Sequence, residues 1–592
     1  MKELFFEPLN NINILRNKNK IKNDLLPNAS KKVKLLILSG STIGELKDFI
    51  YLFLLNKGIE AEIYEGQYKS YYEEVMFSDL IDEVSPDWVY VHTTNKNISR
   101  LPRNINSESE LETFYEEEIT KISTFIDKLE SLGVNCIINN YEMPQYRNMG
   151  NYDFISNYGY VNYINKLNSF LSSKMSDINN VFVNDIMYTA SYVGLANWYD
   201  SSYWYGFKYA VSPKVMPNIA KSLSNIISSI SGNVKKVLVC DLDNTLWGGV
   251  IGDDGPEGVS VGQGNAKSES FDELQAYVLE LKRRGIILAV NSKNELELAR
   301  EGFSNSSCRL SYDDFGAFIA NWESKSGNMN LIEADLNLFQ DSFVFIDDNP
   351  AEIKQVSDVC PTVTTVTYQK SVFELIKFID SEGLFDVFNL SEEDKKRSKY
   401  YEQNKKIKLA QSKSINFDEY LTSLEMVLTI TPINAINMDR VIQLVNKTNQ
   451  FNPTTSRVTK VEYEKRYNNN GGGITLCAGL TDLYGDNGIV TTLFSSIQGD
   501  TLNIDTWVMS CRVFNRELEF AIFDNLVELC KLKAIKFIEA DYIKSIKNGY
   551  VEKLYENLGF ELISQSSNGK SYKLEVNGYK NKCKNIKVNY EY

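Results

Sequence analysis

The chain has 592 residues, of which 43% are hydrophobic and 24% are charged, and its formal net charge is −15. This length is too great for one hydrophobic core, and the composition is that of a globular protein with several domains. A nucleic-acid-binding protein is more often basic, and no apolar run is long enough to cross a bilayer. We therefore expect neither a nucleic acid nor a membrane as a partner.

His92 is the only histidine, and the eight cysteines include no C-x-x-C pair. A Ser-His-Asp triad would have one possible base, and a multi-histidine metal site is excluded. Acid–base chemistry therefore falls to carboxylates, Lys, Tyr or Cys. The scattered cysteines argue against a zinc ribbon or a disulfide framework and fit the reducing cytoplasm, where we expect the protein to be located.

Three segments differ in their pattern. Residues 1–232 alternate between short apolar runs and amphipathic helices, which predicts an α/β domain, and residues 233–385 repeat this alternation more sharply. Residues 386–592 predict a linker helix from Ser391 past Lys408, followed by an α+β domain. The expected fold class is multidomain α/β with a Rossmann-like core in the middle.

The middle segment contains three apolar runs that predict buried parallel strands, namely Val237–Cys240, Ile286–Val290 and Phe343–Ile346. Polar side chains follow every run: Asp241 and Asp243, then Ser292, then Asp347 and Asp348. Open α/β sheets bind their ligands at the carboxyl ends of the strands. We therefore expect these side chains to meet at one edge of the sheet.

Two carboxylates two residues apart, Asp241 and Asp243, repel each other unless a cation lies between them or one is protonated. Both would point the same way if the backbone stayed extended. Mg²⁺ prefers oxygen ligands and binds together with substrate phosphates. Ser292 and Lys325 can bind a phosphate, so the sequence predicts a magnesium-dependent phosphate site. The alternative is that the acids are solvated loop residues or an isolated Ca²⁺ site.

The order D-x-D-x-T, S, K and D-D on successive strand ends resembles the haloacid dehalogenase (HAD) superfamily of phosphatases. The resemblance implies that Asp241 is the nucleophile that attacks phosphorus and that Asp243 is the general acid and base. It also implies that Asp241, Asp243 (through its carbonyl) and Asp347 hold Mg²⁺, with Asp348 close by.

A longer block from Asp241 to Gly258, DLDNTLWGGVIGDDGPEG, is similar to the FkbH family. Later blocks carry the same resemblance: NWESK (321–325), FIDDNP (345–350), NKTNQFN (446–452) and SCRV (510–513). Family members load a glyceryl unit from 1,3-bisphosphoglycerate onto an acyl carrier protein. The resemblance implies this activity here, with an enzyme thiol that forms a thioester and a phosphatase that removes the remaining phosphate.

Cys511 is the candidate thiol, because Arg512 and Arg516 flank it and could attract an anionic substrate. The polar residues that could bind the small substrate are Asn446, Lys447, Thr448, Asn449, Gln450 and, more weakly, Asp486. The alternative for the amide run is turn chemistry at a helix end. We expect the thiol to lie close enough to the carboxylates to serve the same small acid.

Residues 548–560 resemble the acyl-CoA-binding half of GNAT acyltransferases. Their pyrophosphate loop has the form R-x-x-G-x-G/A, but Asn515 and Glu517 replace both glycines here. We therefore expect a carrier-protein phosphopantetheine arm rather than CoA as the partner.

Long members of the FkbH family carry an N-terminal domain resembling SGNH hydrolases. Here Tyr203 stands where the late histidine of that motif belongs. We therefore expect a non-hydrolytic domain in which His92 is structural.

Two other functions remain open. One is a HAD phosphatase that acts on a small phosphorylated metabolite without acyl transfer. The other is an inactive assembly factor of a biosynthetic complex, although such a factor would have no need of Asp241, Lys325 and Asp347.

Overall fold

The computed structural model describes residues 2–102, 107–367, 372–388, 395, 397, 401, 417–468 and 473–590. They divide into two compact units, Met1–Ser231 and Gly232–Tyr592. Most of the predicted linker helix after Ser391 lies outside the described residues. Within these ranges, no helix combines the length and the apolar character that a bilayer crossing requires.

The first unit is built around a five-stranded parallel sheet with the strand order β2-β1-β3-β4-β5. Its strands are β1 (Lys31–Ser39), β2 (Ile59–Glu65), β3 (Trp88–His92), β4 (Asn135–Asn139) and β5 (Val181–Asn184). Its helices are α1 (Asn11–Arg16), α2 (Lys18–Leu25), α3 (Gly44–Asn56), α4 (Tyr71–Phe77), α5 (Leu80–Val84), α6 (Glu108–Ser131), α7 (Tyr160–Lys174), α8 (Ile186–Val193), α9 (Leu195–Trp198), α10 (Ser201–Phe207) and α11 (Met216–Ile230). This alternation of strands and helices is what the sequence predicts for residues 1–232.

His92 ends β3 and is 1% exposed. Its Nδ1 lies 2.9 Å from the Tyr90 hydroxyl. Asp200 stands three residues before Tyr203, in the region of the late motif. It N-caps α10 by accepting hydrogen bonds from the backbone and hydroxyl of Ser202. His92 is therefore a buried histidine within a polar network, which agrees with the expectation that it has a structural role.

Burial lowers the pKa of His92 to about 4 from its ordinary 6.5. A folded-state pKa below the unfolded value contributes stability above pH 6.5, and that stability is lost as the pH falls toward 4. We expect a contribution of about 3 kcal/mol. The single imidazole resonance in an NMR titration reports it directly. Titration of His92 near 6.5 in the folded protein would contradict this assignment.

The second unit begins with another five-stranded parallel sheet, in the order β10-β9-β6-β7-β8. Its strands are β6 (Val237–Cys240), β7 (Ile287–Ser292), β8 (Phe315–Ala320), β9 (Phe343–Asp347) and β10 (Thr364–Thr367). Its helices are α12 (Ile251–Asp254), α13 (Ala266–Arg283), α14 (Leu296–Glu301), α15 (Lys325–Leu336), α16 (Pro350–Val359) and α17 (Phe373–Ser381). The central strand β6 lies between β7 and β9, so the polar ends of these three strands are neighbours.

The remainder of the second unit is an eight-stranded mixed sheet in the order β16-β17-β15-β14-β13-β12-β11-β18. Its strands are β11 (Met426–Thr431), β12 (Thr475–Asp482), β13 (Gly485–Gln498), β14 (Thr501–Met509), β15 (Phe537–Ile543), β16 (Glu561–Gln565), β17 (Gly569–Glu575) and β18 (Ile586–Tyr590). Its helices are α18 (Phe417–Ser423), α19 (Met438–Lys447), α20 (Lys460–Tyr463), α21 (Leu518–Leu532) and α22 (Leu554–Leu558). Together the three sheets confirm the predicted multidomain α/β fold class. The boundary at 385/386 stays a prediction.

The adjacent strands β14 and β15 diverge within the mixed sheet. They pair in parallel only from Thr501–Phe537 to Ile504–Ala540. Beyond that point a chain segment lies between them, because Phe451 bridges to Met509 on β14 while the Pro453 carbonyl accepts a hydrogen bond from the last residue of β15. The segment 451–453 thus fills the gap between the two strands and ties the loop after α19 to the sheet.

Candidate active site

Three carboxylates converge at the carboxyl end of the five-stranded sheet in the second unit. Asp241 follows β6, Asp347 ends β9, and Asp348 is the next residue. A ligand oxygen from each of the three can be chosen so that all lie within 4.8 Å of one another. Adjacent parallel strands end at the same edge of a sheet, so the sheet brings these acids together as the sequence predicts.

Lys325 pairs with two of these three carboxylates. Its Nζ lies 2.8 Å from Asp241 Oδ1 and 2.6 Å from Asp347 Oδ2, and all three side chains are at most 7% exposed. Lys325 is the first residue of α15, and its carbonyl accepts a hydrogen bond from the Asn291 side chain at 2.9 Å. The lysine predicted to bind phosphate is therefore held in place by the end of β7.

The electrostatics of the cluster follow from burial and mutual proximity. Burial and, to a smaller extent, the neighbouring Asp347 raise the pKa of Asp241 to about 6, against the opposing effect of Lys325. Burial also raises the pKa values of Asp347 and Asp348. Burial by itself would lower the pKa of Lys325, but the neighbouring carboxylates raise it overall. The site therefore concentrates negative charge that one lysine only partly offsets, which suits the binding of a further cation.

Asp243 lies beside this cluster, and its carboxylate accepts three hydrogen bonds. Its Oδ1 accepts hydrogen bonds from Trp247 Nε1 and from the Ile251 backbone, at 3.0 and 3.1 Å. Its Oδ2 accepts one from Asn294 at 3.0 Å. Burial raises the pKa of Asp348 most, and Asp241 and Asp243 both raise it further, so both carboxylates lie near Asp348. That they point the same way stays a prediction. These hydrogen bonds hold the Asp243 side chain in one orientation, and the predicted metal contact through its carbonyl stays a prediction.

Ser292 ends β7, is 1% exposed and accepts a hydrogen bond at its Oγ from Asn294. Asn294 thus links the predicted phosphate-binding serine to Asp243. The Thr245 hydroxyl accepts a hydrogen bond from the Asp348 backbone at 3.2 Å. Sequence analysis missed Asn291 and Asn294 as site residues; their only signal was their position at and just after a strand end.

Lys325→Met should destabilise the metal-free protein, because Asp241 and Asp347 would remain buried without a counter-charge. Breaking one side of a buried ion pair typically costs about 3–5 kcal/mol. Lys354→Met is the matched control, because Lys354 pairs with Asp358 on an exposed helix surface, where such a pair contributes at most about 1 kcal/mol. Urea denaturation of both variants measures the difference. Equal midpoints would show that Lys325 does not hold the cluster together.

The candidate thiol, Cys511, lies after β14 and is half-buried. Its carbonyl accepts a hydrogen bond from Asn337 Nδ2 at 3.2 Å, and its thiol is hydrogen-bonded to the Tyr401 hydroxyl. Burial raises the pKa of Tyr401, and the thiol adds to this effect. Lys236 is near enough to be attracted electrostatically to the thiol, while burial lowers its pKa. Sequence analysis did not identify these three neighbours of Cys511.

These neighbours place Cys511 at the amino end of the parallel sheet, opposite the carboxylates. Lys236 directly precedes β6, and Asn337 directly follows α15. The mixed sheet contacts this end again through an ion pair between Lys547 and Asp341, at 2.5 Å. The expectation that the thiol lies close to the carboxylates is therefore wrong, because the mixed-sheet domain packs on the opposite end of the sheet.

The arginines that flank Cys511 have other partners. Arg516 Nη1 lies 2.6 Å from Asp482 Oδ2 in a pair whose side chains are 4% and 2% exposed. Arg512 Nη2 donates to the Asn487 carbonyl at 2.6 Å. Both guanidinium groups thus tie the turn after β14 to the β12–β13 hairpin. Their role in attracting an anionic substrate stays a prediction.

The amide run after α19 is largely engaged in turn chemistry. The Asn446 side chain exchanges hydrogen bonds with the Val458 backbone, and Asn449 accepts one from Arg457. Lys447 ends α19, and the Thr448 carbonyl accepts a hydrogen bond from Arg457.

Gln450 differs from the rest of the run. Its Oε1 is buried without a hydrogen-bond partner among the described residues. Because the next residue, Phe451, bridges to Met509, Gln450 lies near the start of the Ser510–Cys511 turn.

Two details bear on the remaining predicted contacts. Asp486 accepts a hydrogen bond from the Gly488 backbone at 2.7 Å in the exposed first part of β13. Asn515 and Glu517, which stand where the GNAT loop has glycines, have φ angles of 60° and 61°. Both residues therefore adopt the left-handed backbone conformation that glycine favours, although both carry a side chain.

Known proteins resemble separate parts of this chain. The family described as FkbH, N-terminal domain, matches residues 35–228. A solved structure of the N-terminal part of the protein BF1531 from Bacteroides fragilis, which contains a phosphatase domain complexed with Mg, is 29% identical. The similarity covers 63% of this chain and 98% of that one, with a TM-score of 0.58.

Acetyltransferase structures match a smaller share. A GNAT-family acetyltransferase from Staphylococcus aureus is 15% identical over 25% of this chain and 99% of its own, with a TM-score of 0.21. The ribosomal-protein-S18-alanine N-acetyltransferase from Escherichia coli is 11% identical over 25% of this chain and 94% of its own, also with a TM-score of 0.21. No curated protein sequence matches the chain. The chain thus combines a match to the FkbH N-terminal domain at residues 35–228 with similarity, over 63% of its length, to a structure that contains a phosphatase domain.

Proposed function

We propose that this protein is a magnesium-dependent enzyme that loads a glyceryl unit from 1,3-bisphosphoglycerate onto an acyl carrier protein and removes the remaining phosphate. The observation that carries the phosphatase half is the buried cluster of Asp241, Asp347 and Lys325 with Asp348 beside it. Uncompensated burial of carboxylates is unfavourable, so a cluster of this kind points to a bound cation rather than to structural support.

The donor set fits Mg²⁺. Asp241, Asp347 and Asp348 offer oxygen atoms that lie within 4.8 Å of one another, and Mg²⁺ binds through carboxylates together with substrate phosphates. When bound, the ion would offset the charge of the phosphate group. The Bacteroides fragilis phosphatase-domain structure, which is complexed with Mg, supports this assignment.

The side chains of the chain itself supply the chemistry of phosphate removal. In this proposal an Asp241 oxygen attacks phosphorus, and Asp243 protonates the leaving oxygen and later activates water. The three hydrogen bonds to Asp243, from Trp247, Ile251 and Asn294, keep it in one orientation beside Asp241. Ser292 and Lys325 would bind the phosphate oxygens and hold the ester in line.

The acyl-transfer half rests on Cys511. A thiolate can attack the activated carbonyl of an acyl phosphate and expel phosphate, which gives a thioester on the protein. The half-buried Cys511 has Lys236 nearby to attract an anionic substrate, and Gln450 offers an unpaired amide oxygen close to the same turn. The carrier protein with its phosphopantetheine arm would then accept the acyl unit.

A second function is favoured by one observation. Cys511 lies at the amino end of the sheet, whereas the carboxylates lie at its carboxyl end. A plain phosphatase acting on a small phosphorylated metabolite would need only the carboxylate site, and Cys511 would then be a domain-contact residue.

Intact-mass measurement separates the two functions. The protein is incubated with 1,3-bisphosphoglycerate, Mg²⁺ and a carrier protein that bears its phosphopantetheine arm. We expect a glyceryl adduct on the carrier and release of phosphate, and a chelator should prevent the dephosphorylation. Release of phosphate without any adduct on either protein would leave only the phosphatase.

A further inference from the structure

The two predicted reactive groups are separated by the whole length of β6. Lys236 precedes this four-residue strand and is near enough to the Cys511 thiol to be attracted to it, and Asp241 follows the strand. An extended chain advances about 3.3 Å per residue, so the five steps from 236 to 241 span roughly 16 Å. The thiol and the carboxylate therefore lie at opposite edges of one sheet.

Helix α15 gives a second, independent measure. Its first residue, Lys325, contacts Asp241 at 2.8 Å, and the residue after its last turn, Asn337, contacts the Cys511 carbonyl at 3.2 Å. Twelve helical steps at 1.5 Å per residue span roughly 18 Å. The two estimates agree, although one runs along a strand and the other along a helix.

The bound intermediate is much shorter than this separation. From the carbonyl carbon of a phosphoglyceryl thioester to its phosphorus there are four bonds of about 1.5 Å each, a reach of at most about 6 Å. On the basis of the proposed function, we infer that Cys511 and Asp241 form two separate reaction sites, and that an acyl unit held on Cys511 cannot present its phosphate ester to Asp241. The three-carbon unit must leave the thiol before Asp241 dephosphorylates it, or arrive there already dephosphorylated.

The two reactions then balance separately. At Cys511, sulfur forms a bond to the carbonyl carbon, the bond from that carbon to the phosphate oxygen breaks, and inorganic phosphate leaves with the electron pair while the thiol proton passes to solvent. At Asp241, the carboxylate displaces the alcohol from the phosphomonoester, and water then releases the phosphate. Neither reaction needs a group from the other site. Each site can therefore act on a substrate that the other does not hold.

A single-turnover experiment without carrier protein tests this inference. After 1,3-bisphosphoglycerate is added to the Mg²⁺-loaded protein, intact mass should show that any phosphoglyceryl adduct formed on Cys511 keeps its phosphate. Conversion of this adduct to the glyceryl adduct, at a rate independent of protein concentration and abolished by Asp241→Asn, would overturn the inference. Absence of any adduct on Cys511 would instead overturn the proposed acyl transfer.

A distance measurement tests the separation without any acyl chemistry. Nitroxide labels are placed on Cys511 and on Trp322→Cys, in a chain with Cys308→Ser and Cys583→Ser; Trp322 is 68% exposed in the loop before Lys325, at the carboxylate end. We expect a separation above about 15 Å in pulsed dipolar spectroscopy. Asn337→Cys, beside Cys511, is the short-distance control. Dipolar broadening of the Trp322 pair as strong as in this control would refute the two-site arrangement whether or not the protein transfers glyceryl units.

Discussion

Asp241→Asn should reduce the release of phosphate from a phosphomonoester by at least about 10³-fold, because the amide cannot act as a nucleophile. The folded protein should survive this change, since Lys325 keeps its contact with Asp347 at 2.6 Å. The variant should also bind Mg²⁺ more weakly, because one of three carboxylates in the cluster is lost. Phosphate release and calorimetric Mg²⁺ binding measure the two effects.

Asp358→Asn is the control for this substitution. Asp358 lies on α16 in an exposed ion pair with Lys354, at a distance of 3.0 Å, so the same chemical change there should leave turnover unaltered. If Asp241→Asn retained more than a tenth of the phosphatase activity, Asp241 would not be the nucleophile. The proposed phosphatase mechanism would then fail.

Cys511→Ser should abolish the protein-bound acyl adduct and the loading of the carrier protein, while phosphate release from a small phosphomonoester stays within about twofold of the unaltered protein. A hydroxyl is a far weaker nucleophile than a thiolate at neutral pH, so serine cannot replace the thiol here. The phosphatase should be spared because Asp241 lies at the other end of the sheet. Intact mass of both proteins and a phosphate assay provide the two readouts.

Cys583→Ser is the matched control. Cys583 is also half-buried and packs against the core of the mixed sheet, but no described contact connects it to Lys236 or Asn337. It should therefore load the carrier normally. Unchanged loading by Cys511→Ser would reject Cys511 as the acyl-transfer thiol and leave the plain phosphatase as the better proposal.

The carboxylate site could be predicted from the sequence because of a local rule. Apolar runs such as Val237–Cys240 predict strands buried on both faces, and adjacent parallel strands end at one edge of their sheet. The acids at the carboxyl ends of β6 and β9 therefore had to meet, as Asp241 and Asp347 do. The order of residues along the chain contained enough information for this part of the site.

The direction of individual side chains required the tertiary structure. No periodicity indicates that Asp243 turns toward Trp247 and Asn294, or that Lys325 contacts two carboxylates from different strands. These contacts depend on a turn after Cys240 and on where α15 begins relative to the sheet.

The sequence by itself determined the multidomain α/β fold class and the acidic edge of the central sheet, because strand and helix patterns are local and the ends of parallel strands coincide. Only the tertiary structure decided where Cys511 lies. It also decided that the nearby Arg516 pairs with Asp482. Packing between domains is set by surfaces distant in sequence, such as Asp341 and Lys547, which no local pattern relates to each other. For this reason the thiol is found at the amino end of the sheet, away from the carboxylates.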